Sequence, residues 1–461
     1  MSEGGRKVAG MSSATYSYLR PSGLADGGLS LQTSGGVAQR AAAAARPRFF
    51  SGFVTTAEPV AAGLLAVAEV ARTRYYQPLS PRSLDPVVTG SRDRLRFESF
   101  SGCCGVYARM DVLPAALDGE TPDHGTTNVD VNAPLRTALA RVAGSSALRL
   151  DVGPDDLTVT TMHGSVVEKK VPLPTRWLRG FAEVQVIASR FDPRIEVSAA
   201  EAAAFLRRAA SPTDRTVLWV VPSGRSLRLT SRPVAGAVCL PGQGRLAVLR
   251  PLLRFATTLR AYGPPVGPGS APVASTWEIE TPSLRVSLTL SPEPSRGFSG
   301  EGAVLTALAT DEAIADADLI SALLSWDPTV DVDALASAAA LPADRVRAAL
   351  TQLGTAGRVG FDVADAAYFH RVLPYDAAAA AKLNPRLIGA RQLVADGAVA
   401  VTDNTARVRS GEETYDVAVV DGAPATCTCP WWARYRGGRG PCKHALAVGM
   451  VLTGDREAVP A

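Results

Sequence analysis

Long hydrophobic runs are missing from this chain. No segment approaches the roughly 18 uncharged apolar residues of a membrane-spanning helix. The first ten residues, Met1–Gly10, are rich in glycine and contain no apolar signal-peptide core. We therefore expect a cytoplasmic protein without a membrane partner.

The chain also has no strong net charge of either sign. Acidic and basic side chains nearly balance, which gives a net charge of +4 over 461 residues. Such a small charge provides no chain-wide attraction for nucleic acid. Only five of the 48 basic residues are lysine. Any nucleic-acid contact must therefore rest on a local cluster of arginines.

Cysteine and histidine are scarce, with six and four residues respectively. In a reducing cytoplasm, clustered cysteines and histidines indicate metal binding rather than a disulfide framework. The remaining composition, 46% hydrophobic and 20% charged, is typical of a folded soluble protein. A chain of this length suits about two to four domains.

The order of predicted elements favours a multi-domain α+β protein. Residues 1–46 are small, polar or alanine-rich and predict a flexible arm, in which Tyr16–Leu19 and Leu29–Leu31 are candidate short strands. Residues 47–300 open with a predicted helix at Pro59–Tyr76 and continue with antiparallel strand series between further helices. Because no regular strand-helix-strand repeat occurs, we predict a mixed antiparallel domain rather than a doubly wound sheet.

The 47–300 domain offers no catalytic constellation. Its adjacent cysteines, Cys103 and Cys104, would form only a strained ring and have no acid or histidine at a local spacing, so we interpret them as small buried residues at a turn. The other candidates are isolated, namely Cys239, His124, His163 and, further along the chain, His370. We therefore predict that the protein is not an enzyme and has no small-molecule substrate. Further helices are predicted at Pro134–Val142, Ala199–Ala209 and Leu246–Tyr262.

Residues 301–375 are predicted to form three helices and a β-hairpin, which together resemble a winged helix-turn-helix. The helices are predicted at Glu312–Ser325, Val332–Ala339 and Pro342–Leu353, and the strands at Arg358–Val363 and Ala367–His370. The outward face of the third helix carries only two positive charges, whereas specific DNA readers add several phosphate contacts to their base contacts. A DNA reader and a packing or protein-contact domain both remain open. That face comprises Asp344, Arg345, Arg347, Thr351 and Gln352.

The most informative pattern lies in the last predicted segment, 376–461, which begins with a linker helix. Cys427 and Cys429 are separated by one residue, as are Cys442 and His444, and twelve residues lie between the two pairs. Three thiols and one imidazole can complete a tetrahedral shell. Zn2+ is the metal that best suits this donor set.

Local structure is expected to turn both pairs towards one ion. Residues i and i+2 of a strand leave the same face, so Cys427 and Cys429 both reach the metal. Pro441 favours the start of a helix, whose partial positive charge favours the Cys442 thiolate and holds His444 nearby.

This arrangement resembles the SWIM-type zinc finger, in which Cys-x-Cys and Cys-x-His pairs follow a strand pair and precede a small apolar helix. Ala406–Val420 predicts the strand pair, with a turn at Ser410–Gly411. Two longer stretches, Phe97–Tyr107 and Gly397–His444, resemble actinobacterial proteins that carry such a finger at the C-terminus. The resemblance implies a small ββα-like finger with a structural zinc that binds a macromolecule.

The resemblance also implies what the partner is. Proteins of this kind are often coded beside MoxR-type AAA ATPases and von Willebrand A-domain proteins, which implies a protein-protein adaptor that contacts them. SWIM fingers also accompany DNA-acting proteins. A DNA- or RNA-binding factor that uses the finger loop and the winged helix is therefore the alternative.

The loop between the ligand pairs, Pro430–Pro441, contains three aromatic residues, three arginines and no acid. Arginine beside aromatic residues suits phosphate contact and base stacking, and the same residue types dominate protein hot spots. Alternatively, Trp431 and Trp432 cover the zinc site while the arginines screen its thiolates. The residues predicted to bind a macromolecule are Arg434, Tyr435, Arg436, Arg439 and Lys443.

Overall fold

The computed structural model describes residues 23–25, 28–30, 48–75, 86–119, 123–208, 215–298, 302, 304–305, 311–325, 327–373 and 384–457. The chain divides into two compact units, residues 1–47 and 48–461. In the first unit, strands β1 Gly23–Ala25 and β2 Gly28–Ser30 pair antiparallel. The rest of the predicted arm at 1–46, including Tyr16–Leu19, lies outside the described residues.

A sheet of eight antiparallel strands dominates the first part of the second unit. Its strands are β4 Val87–Ser91, β5 Leu95–Phe100, β6 Val106–Val112, β8 His124–Asn128, β12 Asp192–Ser198, β16 Thr258–Gly263, β17 Ser275–Glu280 and β18 Leu284–Leu290. They lie in the order β12-β16-β17-β18-β6-β5-β4-β8. Helix α1, Ala57–Arg72, packs on this sheet, where Gly63 lies against Met110 and Val286. A Cβ atom at Gly63 would overlap the Met110 sulfur, so the Met110 side chain would have to shift to admit a larger residue.

Two smaller sheets complete this part of the fold. Their strands are β3 Phe50–Val54, β7 Leu117–Gly119, β9 Leu148–Val152, β10 Asp156–Thr161, β11 Gly164–Lys169, β13 Val217–Ser223, β14 Ser226–Thr230 and β15 Val238–Pro241. One sheet has the order β11-β10-β9-β3-β7 and shares a hydrophobic core with α1 through Phe50, Leu150 and Val159. The other has the order β14-β13-β15.

Three more α-helices and two 3-10 helices lie between these strands, and the described residues form an α+β protein, as predicted. The helices are α2 Ala133–Ala140, α3 Thr175–Ala188 and α4 Ala199–Arg208, and the 3-10 helices are Pro114–Ala116 and Gln243–Leu252. Among the helices that the structure describes, none is long and apolar enough to cross a membrane.

The predicted helix at Leu246–Tyr262 is wrong. Residues 243–252 form a 3-10 helix that contains Pro251, and Thr258–Gly263 is strand β16. Proline lacks an N–H and blocks continuation of a regular α-helix, after which the alternating residues pair with β12 and β17. Helix α3 was not predicted, although Trp177, Phe181 and Val184 form a buried stripe at helical spacing.

Three helices and a hairpin follow in residues 311–373. They are α5 Asp311–Leu323, α6 Val332–Ala339, α7 Ala343–Thr355, β19 Val359–Asp362 and β20 Ala367–His370, close to the predicted positions. Ile320, Val346, Leu350 and Val359 share one buried core. The Asp331 side chain caps α6 by accepting the N–H groups of residues 333 and 334, each at 3.0 Å.

The hairpin β19–β20 is fastened to the eight-stranded sheet by buried ion pairs. Asp362 accepts hydrogen bonds from Arg96 at 2.7 Å, from Arg109 at 2.6 Å and from Arg285 at 3.1 Å. Burial alone would raise the pKa of Asp362, but Arg109, Arg96 and Arg285 hold it well below its usual value. Asp362 is therefore ionised and bound by three cations of the sheet.

The neighbouring carboxylates extend this network. Asp365 accepts from Arg285 and from Arg94, each at 2.8 Å, and Asp111 of β6 accepts from Arg285 at 3.2 Å. After β20, Arg371 pairs with the buried Glu98 of β5 at 2.5 Å. We call Arg94, Arg96, Arg109 and Arg285, with Asp111, Asp362 and Asp365, the ion-pair cluster.

The remaining elements form the C-terminal part of the second unit. They are α8 Pro385–Ala395, β21 Val399–Thr402, β22 Thr405–Ser410, β23 Glu413–Val420, β24 Ala423–Cys427, α9 Pro430–Tyr435 and α10 Lys443–Glu457. The four strands pair antiparallel in chain order, and α8 and α10 share a core with them through Leu387, Val408, Val417 and Ala447. The predicted turn after Ser410 is confirmed. Most of the predicted linker before α8 lies outside the described residues.

Candidate metal centre

Four side chains of metal-binding types meet in one buried cluster beside the four-stranded sheet. The ligand atoms of Cys427, Cys429, Cys442 and His444 all lie within 4.8 Å of one another. Cys427 ends β24, Cys429 caps the start of α9, and the other two stand at the start of α10. Within the described ranges, this is the one group of three or more potential ligands.

These distances fit a tetrahedral zinc ion. With zinc–sulfur bonds of about 2.3 Å and zinc–nitrogen bonds of about 2.0–2.1 Å, tetrahedral geometry places a sulfur and a nitrogen ligand about 3.6 Å apart. Sγ of Cys427 lies 3.8 Å from Nδ1 of His444, and both residues are buried. Three thiolates and one imidazole fill all four positions and leave none for water or substrate. The donor set therefore fits a structural zinc rather than a catalytic one.

Backbone N–H groups at two helix starts support the sulfur atoms. The Trp432 N–H donates to Sγ of Cys429 and the Ala445 N–H donates to Sγ of Cys442, each at 3.4 Å. The hydrogen bond from the Cys427 thiol, opposed by burial and assisted by His444, lowers the pKa of Cys442 to about 4. The same pairing raises the pKa of Cys427, and burial raises that of Cys429. Metal binding must therefore displace the protons of Cys427 and Cys429, whose thiols hold them more tightly than an ordinary cysteine does.

An aromatic ring that the sequence interpretation missed holds the histidine ligand in place. The Tyr415 ring stacks on the His444 ring, with centroids 4.4 Å apart and planes 26° apart. Tyr415 lies on β23, and β23 pairs with the strand that carries Cys427. In the sequence Tyr415 looks like an ordinary strand residue, because its contact with His444 depends on the position of α10. Tyr415 therefore orients a ligand without binding metal itself.

The five residues predicted to bind a macromolecule do not share one environment. Arg434 and Arg436 are exposed, and Tyr435 is half-buried. The Arg439 guanidinium lies 4.9 Å from the Tyr435 ring centroid and packs on the loop. Lys443 donates through Nζ to Ser410 Oγ at 2.8 Å. Arg439 and Lys443 therefore serve the internal structure of the finger, and the exposed charge belongs to Arg434 and Arg436.

Arg386 of α8 fixes the loop between the ligand pairs, and the sequence interpretation missed this role. Its Nη1 donates to the carbonyl oxygens of Arg439 at 2.7 Å and Pro441 at 2.9 Å. Its guanidinium lies 4.4 Å from the Trp431 ring centroid. Both tryptophans of the loop are half-buried and pack on the finger core, so the predicted alternative of aromatic cover matches their positions.

The remaining cysteines and histidines lie apart from the metal ligands. Cys103, Cys104 and Cys239 are buried, and the first two occupy the turn between β5 and β6. His124 lies on β8, His163 is exposed in the β10–β11 turn, and His370 ends β20. Burial lowers the pKa of His370 to about 4, so this imidazole is neutral at physiological pH.

Comparison with known proteins adds one family match. A search of curated proteins gives no match. The proliferating cellular nuclear antigen of Entamoeba histolytica is 10% identical, with a TM-score of 0.35 over 54% of this chain and all of that chain. The PCNA2-PCNA3 complex from Sulfolobus tokodaii is 8% identical, with a TM-score of 0.36 over 53% of this chain and all of that chain. Likeness at this level carries no argument about fold or function.

The family match falls on the metal centre. Residues 415–448 match the family model of the SWIM zinc finger, and this range contains all four ligands and the stacking tyrosine. The donor set, the burial and the helix starts described above are those that a closed zinc site requires. Residues 415–448 are therefore a SWIM zinc finger, and its cofactor is zinc.

Proposed function

We propose that this protein is a non-catalytic, cytoplasmic adaptor that contacts another protein through the exposed side of its zinc finger. The observation that supports it best is the closed donor set, because four buried protein ligands build structure and leave no coordination site for chemistry. Three of those ligands are thiols, which a reducing compartment keeps available for zinc.

For the proposed winged helix at residues 311–373, the surrounding contacts favour a packing role over DNA reading. On α7, Arg345 pairs with Asp316 at 2.7 Å and Arg347 pairs with Asp344 at 2.9 Å. The hairpin would be the wing, and Asp365 at its tip and Asp362 at the end of β19 both belong to the ion-pair cluster. The charges that would bind phosphates are thus paired within the chain, and a wing tip bound to the sheet is closed to DNA.

The finger supplies a small exposed surface of the kind that partners recognise. Arg434 and Arg436 are exposed on either side of the half-buried Tyr435, and arginine and tyrosine are enriched in interface hot spots. The resemblance noted above points to MoxR-type AAA ATPases and von Willebrand A-domain proteins as the partner classes. We adopt them as the first candidates.

A DNA- or RNA-binding factor is the second candidate, and the same loop favours it. Residues 430–441 carry three arginines and no acid, and a phosphate backbone would meet no repulsion there. The two candidates differ in their response to salt. Nucleic-acid affinity falls with a log–log slope of about −0.9 per phosphate contact, whereas a packed protein interface changes far less.

The test compares the zinc-loaded full chain with an Arg434→Ala, Arg436→Ala double variant. An Arg225→Ala, Arg228→Ala variant is the matched control, because both of these arginines are exposed near the β13–β14 turn. Binding to purified ATPase and A-domain proteins is measured by calorimetry, and binding to DNA and RNA oligonucleotides by gel shift from low to physiological salt.

The adaptor predicts protein binding that the double variant weakens and the control retains, with no gel shift even at low salt. A gel shift that the double variant loses, and that falls steeply with salt, would instead establish the nucleic-acid factor. If neither the proteins nor the oligonucleotides bind, this loop is not the interaction surface.

A further inference from the structure

A cleft with a volume of about 460 Å3 lies where the zinc finger meets the end of α3 and the loop between β16 and β17. The finger contributes Gly437, Gly438, Gly440 and Pro441, which belong to the loop between the ligand pairs. None of the zinc ligands lines the cleft. Its volume lies within the range of about 300–1,000 Å3 that is common for binding sites, and we call it the finger cleft.

The described walls of the finger cleft are mainly apolar. Ile187 and Phe191, at the end of α3, line the cleft and are only half-buried, so apolar surface is left for a ligand. Four of the fourteen lining residues are proline, which has no N–H to donate. These prolines are Pro264, Pro272, Pro292 and Pro441. Such walls suit an apolar ring better than a polar one.

The glycines of the finger wall add few hydrogen-bond donors. The Gly438 N–H donates to the carbonyl oxygen of Tyr435 at 2.7 Å, and the Gly440 N–H donates to that of Gly437 at 3.0 Å. Both N–H groups are therefore used within the loop. A nucleobase in the cleft would lose hydrogen bonds to water that these walls do not replace, whereas an apolar ring loses none.

Contacts within the chain hold the finger wall in place. Arg386 donates to the carbonyl oxygens of Arg439 and Pro441 on this wall. The backbone of Gly302 lies so close to Gly440 that a Cβ atom at Gly440 would overlap the Gly302 carbonyl. The cleft is thus formed before a partner binds, and binding does not have to order this loop.

The rim of the finger cleft is cationic. Arg190 lines the cleft and is exposed, and the nearby Asp192 is paired with Arg194 at 2.7 Å. Arg434 and Arg436 are exposed shortly before the glycines that line the cleft. None of the described lining residues is acidic. Charge complementarity therefore favours a partner segment that carries aspartate or glutamate.

We propose that the finger cleft receives one aromatic side chain from an acidic segment of the partner protein. This inference rests on the proposed adaptor function and states what its partner must present. The ring packs on Phe191 and on the proline rings, because aromatic rings bury a large apolar area and interact favourably edge to face. Carboxylates beside the ring face Arg190 and the exposed arginines of the loop. The cleft is then the anchor pocket of the interface.

The test selects a phage-displayed library of short random peptides on the zinc-loaded full chain at physiological salt. We expect the enriched peptides to share one phenylalanine, tyrosine or tryptophan with aspartate or glutamate beside it. The most enriched peptide is synthesised and its affinity is measured by calorimetry. Replacing its aromatic residue with alanine should weaken binding about 30-fold, as for an interface hot spot. Replacing its acids with amides should weaken binding about threefold, because exposed charge pairs contribute little.

Variants of the chain place the peptide in the cleft. Ile187→Trp should abolish peptide binding by filling the cleft, and Ile388→Trp is the matched control, because Ile388 is 49% exposed on α8 and does not line the cleft. Ala271→Trp is a second filled variant, at an exposed position where the core is not disturbed. Arg190→Gln should weaken binding about threefold, whereas Arg228→Gln on β14 should leave it unchanged. Circular dichroism and metal content confirm that each variant is folded and holds zinc.

Four results would overturn the proposal. The first is a library that yields no enriched peptide, and the second is enrichment of peptides without an aromatic residue. The third is unchanged peptide binding in folded Ile187→Trp and Ala271→Trp, which would place the peptide elsewhere. The fourth is an oligonucleotide gel shift that Ile187→Trp loses and Ile388→Trp keeps, which would assign the cleft to a nucleobase.

The adaptor function is judged separately, by binding of the ATPase and A-domain proteins to the native chain. If those proteins bind, and Ile187→Trp binds them equally well, the adaptor function stands and the cleft is not its anchor site. If they do not bind, but the peptides behave as expected, the cleft proposal stands and the partner class is wrong.

Discussion

Replacing Asp362 with asparagine tests whether the ion-pair cluster fastens the β19–β20 hairpin to the eight-stranded sheet. Asp362 is 1% exposed and accepts hydrogen bonds from three arginines at 2.6 to 3.1 Å. Asparagine keeps the size of the side chain, and its oxygen can still accept the Ala364 N–H that Asp362 binds at 3.0 Å. The substitution therefore removes charge and leaves the turn intact.

The expected loss follows from the burial of the cluster. Removing one partner of a buried ion pair costs about 3–5 kcal/mol, because the opposite charge is left without compensation. Asp111 and Asp365 still face these arginines after the change, so we expect the lower end, about 3 kcal/mol. Asp344→Asn is the matched control, because Asp344 is almost fully exposed and its pair with Arg347 is screened by solvent.

The pH dependence of this contribution has a defined sign. The pKa of Asp362 is held well below its usual value in the folded protein, so its stabilisation is present above the ordinary carboxyl pKa of about 3.9. It is lost as the pH falls through the folded value. The contribution of the Asp362 carboxylate itself should therefore persist at every pH above about 4 and be lost only in stronger acid. Asp362 also helps to raise the pKa of Glu278 to about 7, so the comparison is made in the Glu278→Gln background, which removes that second titration.

Urea unfolding and hydrogen exchange measure the effect. The midpoint of unfolding should fall for Asp362→Asn, and amide exchange should accelerate first in β19, β20 and α7. The control should unfold at the same urea concentration as the native protein. If Asp362→Asn unfolds with an unchanged midpoint and its hairpin amides stay protected, the ion-pair cluster does not fasten the hairpin.

Three further predictions follow from single side chains. Cys429→Ser should lose zinc, measured as metal per chain by mass spectrometry, whereas Cys239→Ser, a buried thiol away from the ligands, should keep it. Tyr415→Ala should weaken zinc binding about 10- to 100-fold in competition with a chelator, and Tyr415→Phe should restore it, since the ring alone stacks on His444. Burial raises the pKa of Glu278 from 4.5 to about 7, so stability should fall as pH rises through that interval. Glu278→Gln should remove that decline in urea unfolding, and an unchanged decline would assign it to another group.

The zinc ligands could be predicted from the sequence because the evidence is local. All four lie within residues 427–444, and a strand end followed by a helix start is enough to turn them inward. Tyr415 and Arg386 could not be predicted, because each acts across a tertiary contact that no spacing reveals. Tyr415 reaches His444 only after α10 has packed on the sheet, and Arg386 reaches the loop from a helix 53 positions earlier than Arg439.

The α+β class and most elements before residue 300 were also predictable, because alternation and helical periodicity are properties of short windows. The ion-pair cluster was not, since Arg96 and Asp362 lie 266 positions apart. Isolated arginines on a strand indicate a solvent-facing side, and here they are buried by a hairpin from another part of the chain. The predicted α-helix at Leu246–Tyr262 was wrong because the apolar spacing of the 3-10 helix at residues 243–252 resembles that of an α-helix.

The cores of the structure cross the boundaries that the sequence suggested at residues 300 and 375. Ala182 and Val186 of α3 share the core of the zinc finger with Val304 and Leu305, and the hairpin is bound to β5, β6 and β18 by the ion-pair cluster. Because the zinc ligands belong to that same core, loss of the metal removes support from one face of α3 as well as from the finger. We therefore expect a bound zinc ion to stabilise the contact between the finger and α3, in addition to the loop between the ligand pairs.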